Sequence, residues 1–369
     1  MEVTAVTGIL DTTLALIFTW VGYKTTRILW KYTPYSYPNA RIMAMEARLF
    51  SDQRFNELAE SKTLSNFVIN LEDSDYRDYL SSLPSYDAES IDRALDRALA
   101  GVYSLMFKIL PGRVNPFFRL LLQEWDIRNI ASVVKAKISG EPAVNYITDL
   151  GTMVPKIKAM ADAKSMEEIL VILEGTEYEE IYQRLLLGEI GVDEFETQLY
   201  RMHYSKLLEY ADSRKDEERI ILGEFVRLKI DRLNILTILR GKAHGLKADV
   251  IKPSLIPGGT LNRRTLDTLL NVDDLGMALA ELDSTKYGGV IRNVREEVER
   301  DLSILDRELE RYIRQRIGEL TRFYPLSVAV PLNFILRKEA EVRKLKAIAK
   351  LIEDGIPPER IKEIVGELT

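Results

Sequence analysis

The sequence of 369 residues carries 51 Lys and Arg against 57 Asp and Glu, with two His and no Cys. An apolar share of 46% is enough to bury real cores, and the length suits two or three domains. Without cysteine there are no disulfides, no thiol catalysis and no thiolate-bound zinc or iron–sulfur cluster, and a net charge of −6 offers no overall field for nucleic acid phosphates.

Residues 1–33 form the first predicted element, an apolar helix. Between Val3 and Tyr23 the only charge is Asp11, and Lys24, Arg27 and Lys31 come after it. A helix of that length spans roughly 31 Å, about one hydrocarbon thickness. The basic flank would hold the body on the cytoplasmic side of a membrane. Asp11, Gly8, Gly22 and five threonines (Thr4, Thr7, Thr12, Thr13 and Thr19) weigh instead toward a helix packed on the body or on a partner. Both placements stay open, whereas a cleaved signal peptide is disfavoured because the basic cluster follows the apolar run. The next stretch, YTPYSYPN over Tyr32–Asn39, has two prolines and no charge, and is expected to break the helix as a stiff linker.

Helical periodicity dominates the rest of the chain. Ile91, Leu95, Ala98, Leu99 and Val102 keep helical spacing after Ser90, the expected cap. Met166, Ile169, Leu170 and Leu173 come after Ser165, with Glu168 placed for a capping box. From Val290 to Arg322 apolar residues recur every three or four positions, which predicts one helix of about 33 residues, roughly 50 Å long. Leu326–Val330 is a short apolar run that fits a strand or the start of a helix. Pro111-Gly112, Pro257-Gly258-Gly259, Gly288-Gly289 and Gly355-Ile-Pro-Pro358 punctuate the loops. The expected fold class is all-α.

A threefold repeat of about 105 residues runs through this part of the chain. The segments LEDSDY (Leu71–Tyr76), LEGTEY (Leu173–Tyr178) and LDSTKY (Leu282–Tyr287) recur in order. An acid opens an apolar stretch 50 to 54 residues after each tyrosine: Asp126, Asp231 and Glu341. In the first two copies the pattern is D-x-x-N-x7-K, giving Asp126, Asn129 and Lys137, then Asp231, Asn234 and Lys242. Eleven residues return to almost the same helix face about 16 Å further on, so the acid and the lysine share a stripe but cannot pair with each other. The third copy departs, with Glu341 and Lys344 in place of Asp and Asn and Ile352 where the Lys would stand. A catalytic motif would not normally degrade in this way, so the stripe is expected to be a polar contact between helices or with a partner. The expected organisation is the N-terminal helix over 1–33 and three similar helical domains over 34–140, 141–245 and 246–369.

Catalytic chemistry finds no foothold. There is no G-x-x-x-x-G-K-[ST] or G-x-G-x-x-G motif. Residues 257–264, PGGTLNRR, come nearest to an anion site, and are read as a turn capped by Thr260 before a helix beginning near Arg264. His203 and His244 are too far apart in sequence to share a helix face. The cluster Arg214–Arg219 reads as a solvated charged face. No cofactor, metal, nucleic acid or small-molecule ligand is expected.

Several segments carry a family resemblance: Tyr37–Leu49 (YPNARIMAMEARL), Glu124–Ile130 (EWDIRNI) with Lys135-Ala-Lys137, Ile235–Lys242 (ILTILRGK), Leu255–Gly259 (LIPGG) and Glu341–Leu345 (EVRKL). In their order and threefold spacing, residues 35–369 resemble the C subunits of the archaeal A-type ATP synthases, the family related to the d subunits of vacuolar-type ATPases. The resemblance implies a funnel of three similar helical domains, seated on the cytoplasmic face of the membrane rotor ring, with a socket for the base of the central shaft. The implied role is a non-catalytic rotor component of a proton- or sodium-translocating machine, passing torque between ring and shaft at the cell membrane. A helical scaffold of an unrelated membrane complex is the alternative. Residues 1–33 lie outside the resemblance; Leu14, Ile17, Phe18, Trp20, Lys24 and Arg27 are their expected contacts with the membrane or with the lumen of the ring.

Overall fold

The computed structural model describes the backbone of residues 2–298 and 300–367, and the side chains of those residues apart from 2–12, 28, 31 and 367. Thr4, Thr7, Gly8, Asp11, Thr12 and Lys31, part of the N-terminal pattern, lie outside the described side chains. Every regular element among the described residues is a helix, so the fold is all-α as the periodicity predicts. The chain opens with α1 (Glu2–Glu46) and three short helices, α2 (Asp52–Ala59), α3 (Leu64–Ile69) and α4 (Arg77–Leu80). A long pair comes next, α5 (Ala88–Ile109) and α6 (Asn115–Ser139), then the short α7 (Val154–Asp162), α8 (Met166–Leu173) and α9 (Glu179–Leu186). The second long pair is α10 (Val192–Ser213) and α11 (Asp216–Ala243), succeeded by α12 (Ala248–Ile251), α13 (Arg263–Asn271), α14 (Leu275–Leu282) and α15 (Gly288–Val298). The third pair is α16 (Leu302–Phe323) and α17 (Ala329–Glu353), and α18 (Pro358–Glu367) ends the described chain.

The three long hairpins build a closed wall. α5 packs on α6, α6 on α10, α10 on α11, α11 on α16, α16 on α17, and α17 returns to α5. α16 supplies one apolar stripe, Leu305, Leu309, Ile313, Ile317 and Leu320, all buried, whereas α6 and α11 bury residues on all sides. The short helices pack on the outside of this wall. α7 rests on α6, α14 on α11, and α2 and α3 on α17, so the end of the chain closes on its beginning. One apolar core joins the first and last thirds of the chain with α11, and a second gathers residues of α6 to α10 around Tyr178, Tyr182 and Phe195.

Several local expectations are corrected. Tyr32–Asn39 is no linker, because α1 continues through Pro34 and Pro38 to Glu46. The two prolines cost backbone hydrogen bonds, but the segment is held by what it packs against. Tyr35, Pro38, Asn39, Ile42 and Met45 are buried, and the Asn39 side-chain amide donates to the carbonyls of Pro325 and Ser327, each at 3.1 Å. Ser90 is not the cap of α5; the Asp87 carboxylate accepts from the Ser90 amide at 2.7 Å. The expected long helix over 290–322 is broken into α15 and α16, which fold against each other. Asp301 makes the break by capping α16 through the Ser303 amide at 2.8 Å. Of the two forms open to Leu326–Val330, the helix start is the one seen: the run passes through the turn into α17. α1 is the element expected to reach a membrane; among the described residues no helix is long and apolar enough to cross one.

Candidate functional site

The repeated stripe residues do not converge on one site. They form three separate buried brackets, one on each of α6, α11 and α17. Asp126 is fully buried, and its carboxylate accepts from the backbone amides of Thr152 and Met153 at 2.9 Å and from the Thr152 hydroxyl at 2.5 Å. Asp231 repeats this with the amides of Thr260 and Leu261 at 2.8 and 3.1 Å, and adds the Tyr287 hydroxyl at 2.7 Å. The PGGTLNRR turn therefore does hold an anion, and the anion is the chain's own Asp231. Thr260 serves that carboxylate, and Asn262 caps α13 in its place. Asn129 and Asn234 pair with backbone on both sides, Asn129 with Thr148 and Leu150 and Asn234 with Ile256.

The lysines finish each bracket. Lys137 donates to the Ala163 carbonyl at the end of α7 at 2.5 Å, and Lys242 to the Val272 carbonyl at the end of α13 at 2.6 Å. Acid and lysine thus hold the two ends of one nine-residue helix, each end meeting the charge its dipole favours. In the third bracket Glu341 accepts from the Phe50 amide, the Tyr76 hydroxyl and Lys338, all at 2.6 Å. Lys344 lies 3.4 Å from Asp52 and 4.6 Å from the Phe55 ring. No lysine stands at Ile352, and the end of α2 is covered by α18 instead, with Lys362 on Glu60 at 2.7 Å.

The tyrosine motif explains itself at the same places. Ser74, Thr176 and Thr285 donate to the carbonyls of Leu71, Leu173 and Leu282 at 2.6 to 2.7 Å and accept from the amides of Tyr76, Tyr178 and Tyr287. Each hydroxyl closes a turn that drives its tyrosine inward. Tyr76 meets Glu341, Tyr178 is buried beside Asp126, and Tyr287 meets Asp231. Asp231 therefore holds the next tyrosine segment in the chain and Glu341 returns to the first, whereas the Tyr178 hydroxyl beside Asp126 makes no hydrogen bond among the described residues.

The residues that sequence reasoning missed face the middle of the wall. A cavity of about 50 Å³ lies between the hairpins, lined among others by Tyr103, Glu124, Arg128, Lys229, Glu310, Glu339 and Arg343. Glu124, Lys229 and Glu339 each stand two residues before a repeated acid, and that offset is the signal which could have found them. Lys229 reaches Glu124 across two hairpins at 3.2 Å, while Arg128 holds the same carboxylate at 2.6 Å. Arg232 joins Glu310 at 3.0 Å, Tyr103 donates to Glu339 at 2.7 Å, and Lys346 reaches Asp96 at 2.6 Å. Each hairpin is thereby tied to both others. Burial would push the Glu124 carboxyl up, but Lys229 and Arg128 overcome it and hold it well below the usual range. Burial also raises Glu339, against the Tyr103 hydrogen bond and Lys229, while Arg232 and Arg343 outweigh burial at Glu310 and hold it at about 2. Nearby, burial presses His203 down to about 4, and no metal-binding cluster occurs among the described residues.

At one end the turns over 110–114, 214–215 and 324–328 meet around α1. The Tyr35 hydroxyl donates to Glu218 at 2.7 Å, and Arg113 pairs with the same carboxylate at 2.9 Å. Beyond this point α1 stands clear of the body. Leu14, Ile17, Phe18 and Trp20 are exposed, Phe18 at 72%, as are Lys24 and Arg27, with the Lys24 ammonium 5.4 Å from the Trp20 ring.

A protein-family model described as ATP synthase (C/AC39) subunit matches residues 38–364. A protein from Thermococcus onnurineus, named as the C subunit of an A-type ATP synthase, is 71% identical over 367 residues, covering 100% of both chains. Proteins of the same name from Desulfurococcus sp. (strain SY) and Pyrococcus abyssi are 69% and 58% identical, with 99% and 100% of each chain covered.

Proposed function

Because the chain belongs to the ATP synthase (C/AC39) subunit family and is a non-catalytic subunit of an A-type ATP synthase, we propose that it couples the membrane rotor ring to the central shaft and passes torque between them. The observation that carries this reading is the closed six-helix wall whose hairpins are cross-tied at mid-height. A torque coupling must resist shear between its parts. A wall in which each hairpin is bonded to both neighbours deforms less than an open bundle, since close-packed interiors comply little. Three similar units over 34–140, 141–245 and 246–369 fit this design, each acid helix locking the next unit and the last closing on the first. The eight bracket residues then act as internal fasteners rather than partner contacts. The end where the turns converge, with α1, faces the ring at the cytoplasmic side of the membrane, and the opposite end receives the shaft of a proton- or sodium-driven complex.

Affinity purification of the tagged chain from native membranes tests this. Ring, shaft and catalytic subunits are expected to come with it. Recovery of an unrelated membrane complex without ATPase subunits would overturn the reading in favour of a general scaffold.

A further inference from the structure

The exposed half of α1 has no use within the body. From Thr13 to Trp30 every described side chain is exposed; Leu16, Trp20, Tyr23 and Trp30 line one side of the helix, and Leu14, Ile17, Phe18, Val21 and Leu29 line the other. A helix that is apolar all round is made to be surrounded. The Thr19 hydroxyl is satisfied within the helix, donating to the Ala15 carbonyl at 2.8 Å. Where this rod leaves the body is equally specific. Tyr35 lies between Glu218 at the start of α11 and Arg113 in the turn before α6, the guanidinium 5.4 Å from its ring, and Asn39 is fixed to the turn before α17. The three turns of a closed three-hairpin wall converge only near its axis.

We propose that residues 13–30 are an axial pin that enters the central opening of the membrane ring. The inference rests on the coupling reading above, which seats the body coaxially on that ring. A coaxial body carries a rod at its centre into the lumen, whereas bulk lipid outside the ring would be reached only from the rim. The opening must admit a helix about 10–12 Å across and present apolar surface to it over roughly 27 Å. Lys24 and Arg27 lie toward the body end of the pin, where they meet the mouth of the opening. The partner is therefore a closed ring of membrane helices with an apolar lumen, and the pin centres the body on it against lateral load.

Two measurements on the full chain and purified detergent-solubilised rotor rings test the pin. The double variant Phe18→Asp, Trp20→Asp, which touches nothing in the body, is expected to keep the wild-type thermal midpoint and to bind rings about tenfold more weakly, as loss of aromatic anchors does. Since the chain has no cysteine, Phe18→Cys carries a single benzophenone, and its adducts are expected on the ring helices that face the lumen. Undiminished binding of the double variant, or adducts confined to outer ring helices or to lipid, overturns the pin while leaving the coupling intact. Failure of the wild-type chain to bind rings overturns the coupling reading and the pin with it.

Discussion

Asp126 and Asp231 show how much one side chain decides. Each carboxylate is buried, and although Asp231 has the Lys286 ammonium 3.7 Å away, both take their hydrogen bonds from backbone amides and hydroxyls. That requires the loop to come very close, and Gly151 and Gly259 allow it; a Cβ at either place would fall on the carboxylate, and Gly151 also sits at φ 142°. The third bracket has Leu49 at the matching place, and there the acid is Glu341, whose extra methylene reaches out to the Phe50 amide. Gly151→Ala and Gly259→Ala are each expected to cost about 2–4 kcal/mol in urea unfolding, whereas Gly22→Ala, with open space around it, should cost nothing. His203 gives a pH signature. Its folded value of about 4 lies below its ordinary 6.5, so its contribution is complete above pH 6.5 and is lost as pH falls through 4. The difference amounts to roughly 3 kcal/mol. Asp96, raised to about 6 by burial against the pull of Lys346, acts oppositely, losing its contribution as pH rises from about 4 through 6. Unfolding of wild type and His203→Leu between pH 4 and 7.5 should therefore show the variant losing less stability on acidification.

Short helices need help at both ends, and the brackets supply it. A nine-residue helix is marginal by itself, and about 14 Å of length matches the 16 Å between acid and lysine on the long helix that grips it. Lys242→Met removes the grip on the carbonyls of Leu270 and Val272. It is expected to cost about 1–3 kcal/mol and to speed hydrogen exchange in α13 more than in α14. α1 makes the complementary point. Its prolines would end a free helix, but burial of one face between Tyr35 and Met45 outweighs two missing backbone bonds.

Across the whole molecule the mid-wall charges make the closed arrangement specific. Glu124 serves two cations, Arg128 from its own helix and Lys229 from the next hairpin. Glu124→Gln leaves both with weakened partners in a buried setting and is expected to cost about 3–5 kcal/mol, while adding Lys229→Met should recover much of that loss. Urea midpoints of the single and double variants measure both effects. If the separate costs of Glu124→Gln and Lys229→Met simply add in the double variant, the pair contributes nothing across the wall.

The all-helical fold and the turn chemistry of the recurring motifs were legible in the sequence, because helical periodicity and short-range hydrogen bonding are local properties. The 16 Å arithmetic even anticipated that acid and lysine must seek separate partners, though it left open that the partners were the two ends of one short helix. The breaks were misplaced where capping groups compete: Asp87 over Ser90, Asn262 over Thr260, Asp301 within an unbroken apolar pattern. What only the tertiary structure decided is long-range. The return of Glu341 to Tyr76, the meeting of Glu124, Lys229 and Glu339 inside the wall, and the persistence of α1 through Pro34 and Pro38 all depend on groups far apart in the chain. No local pattern encodes such pairings, since their energy exists only once the wall has closed.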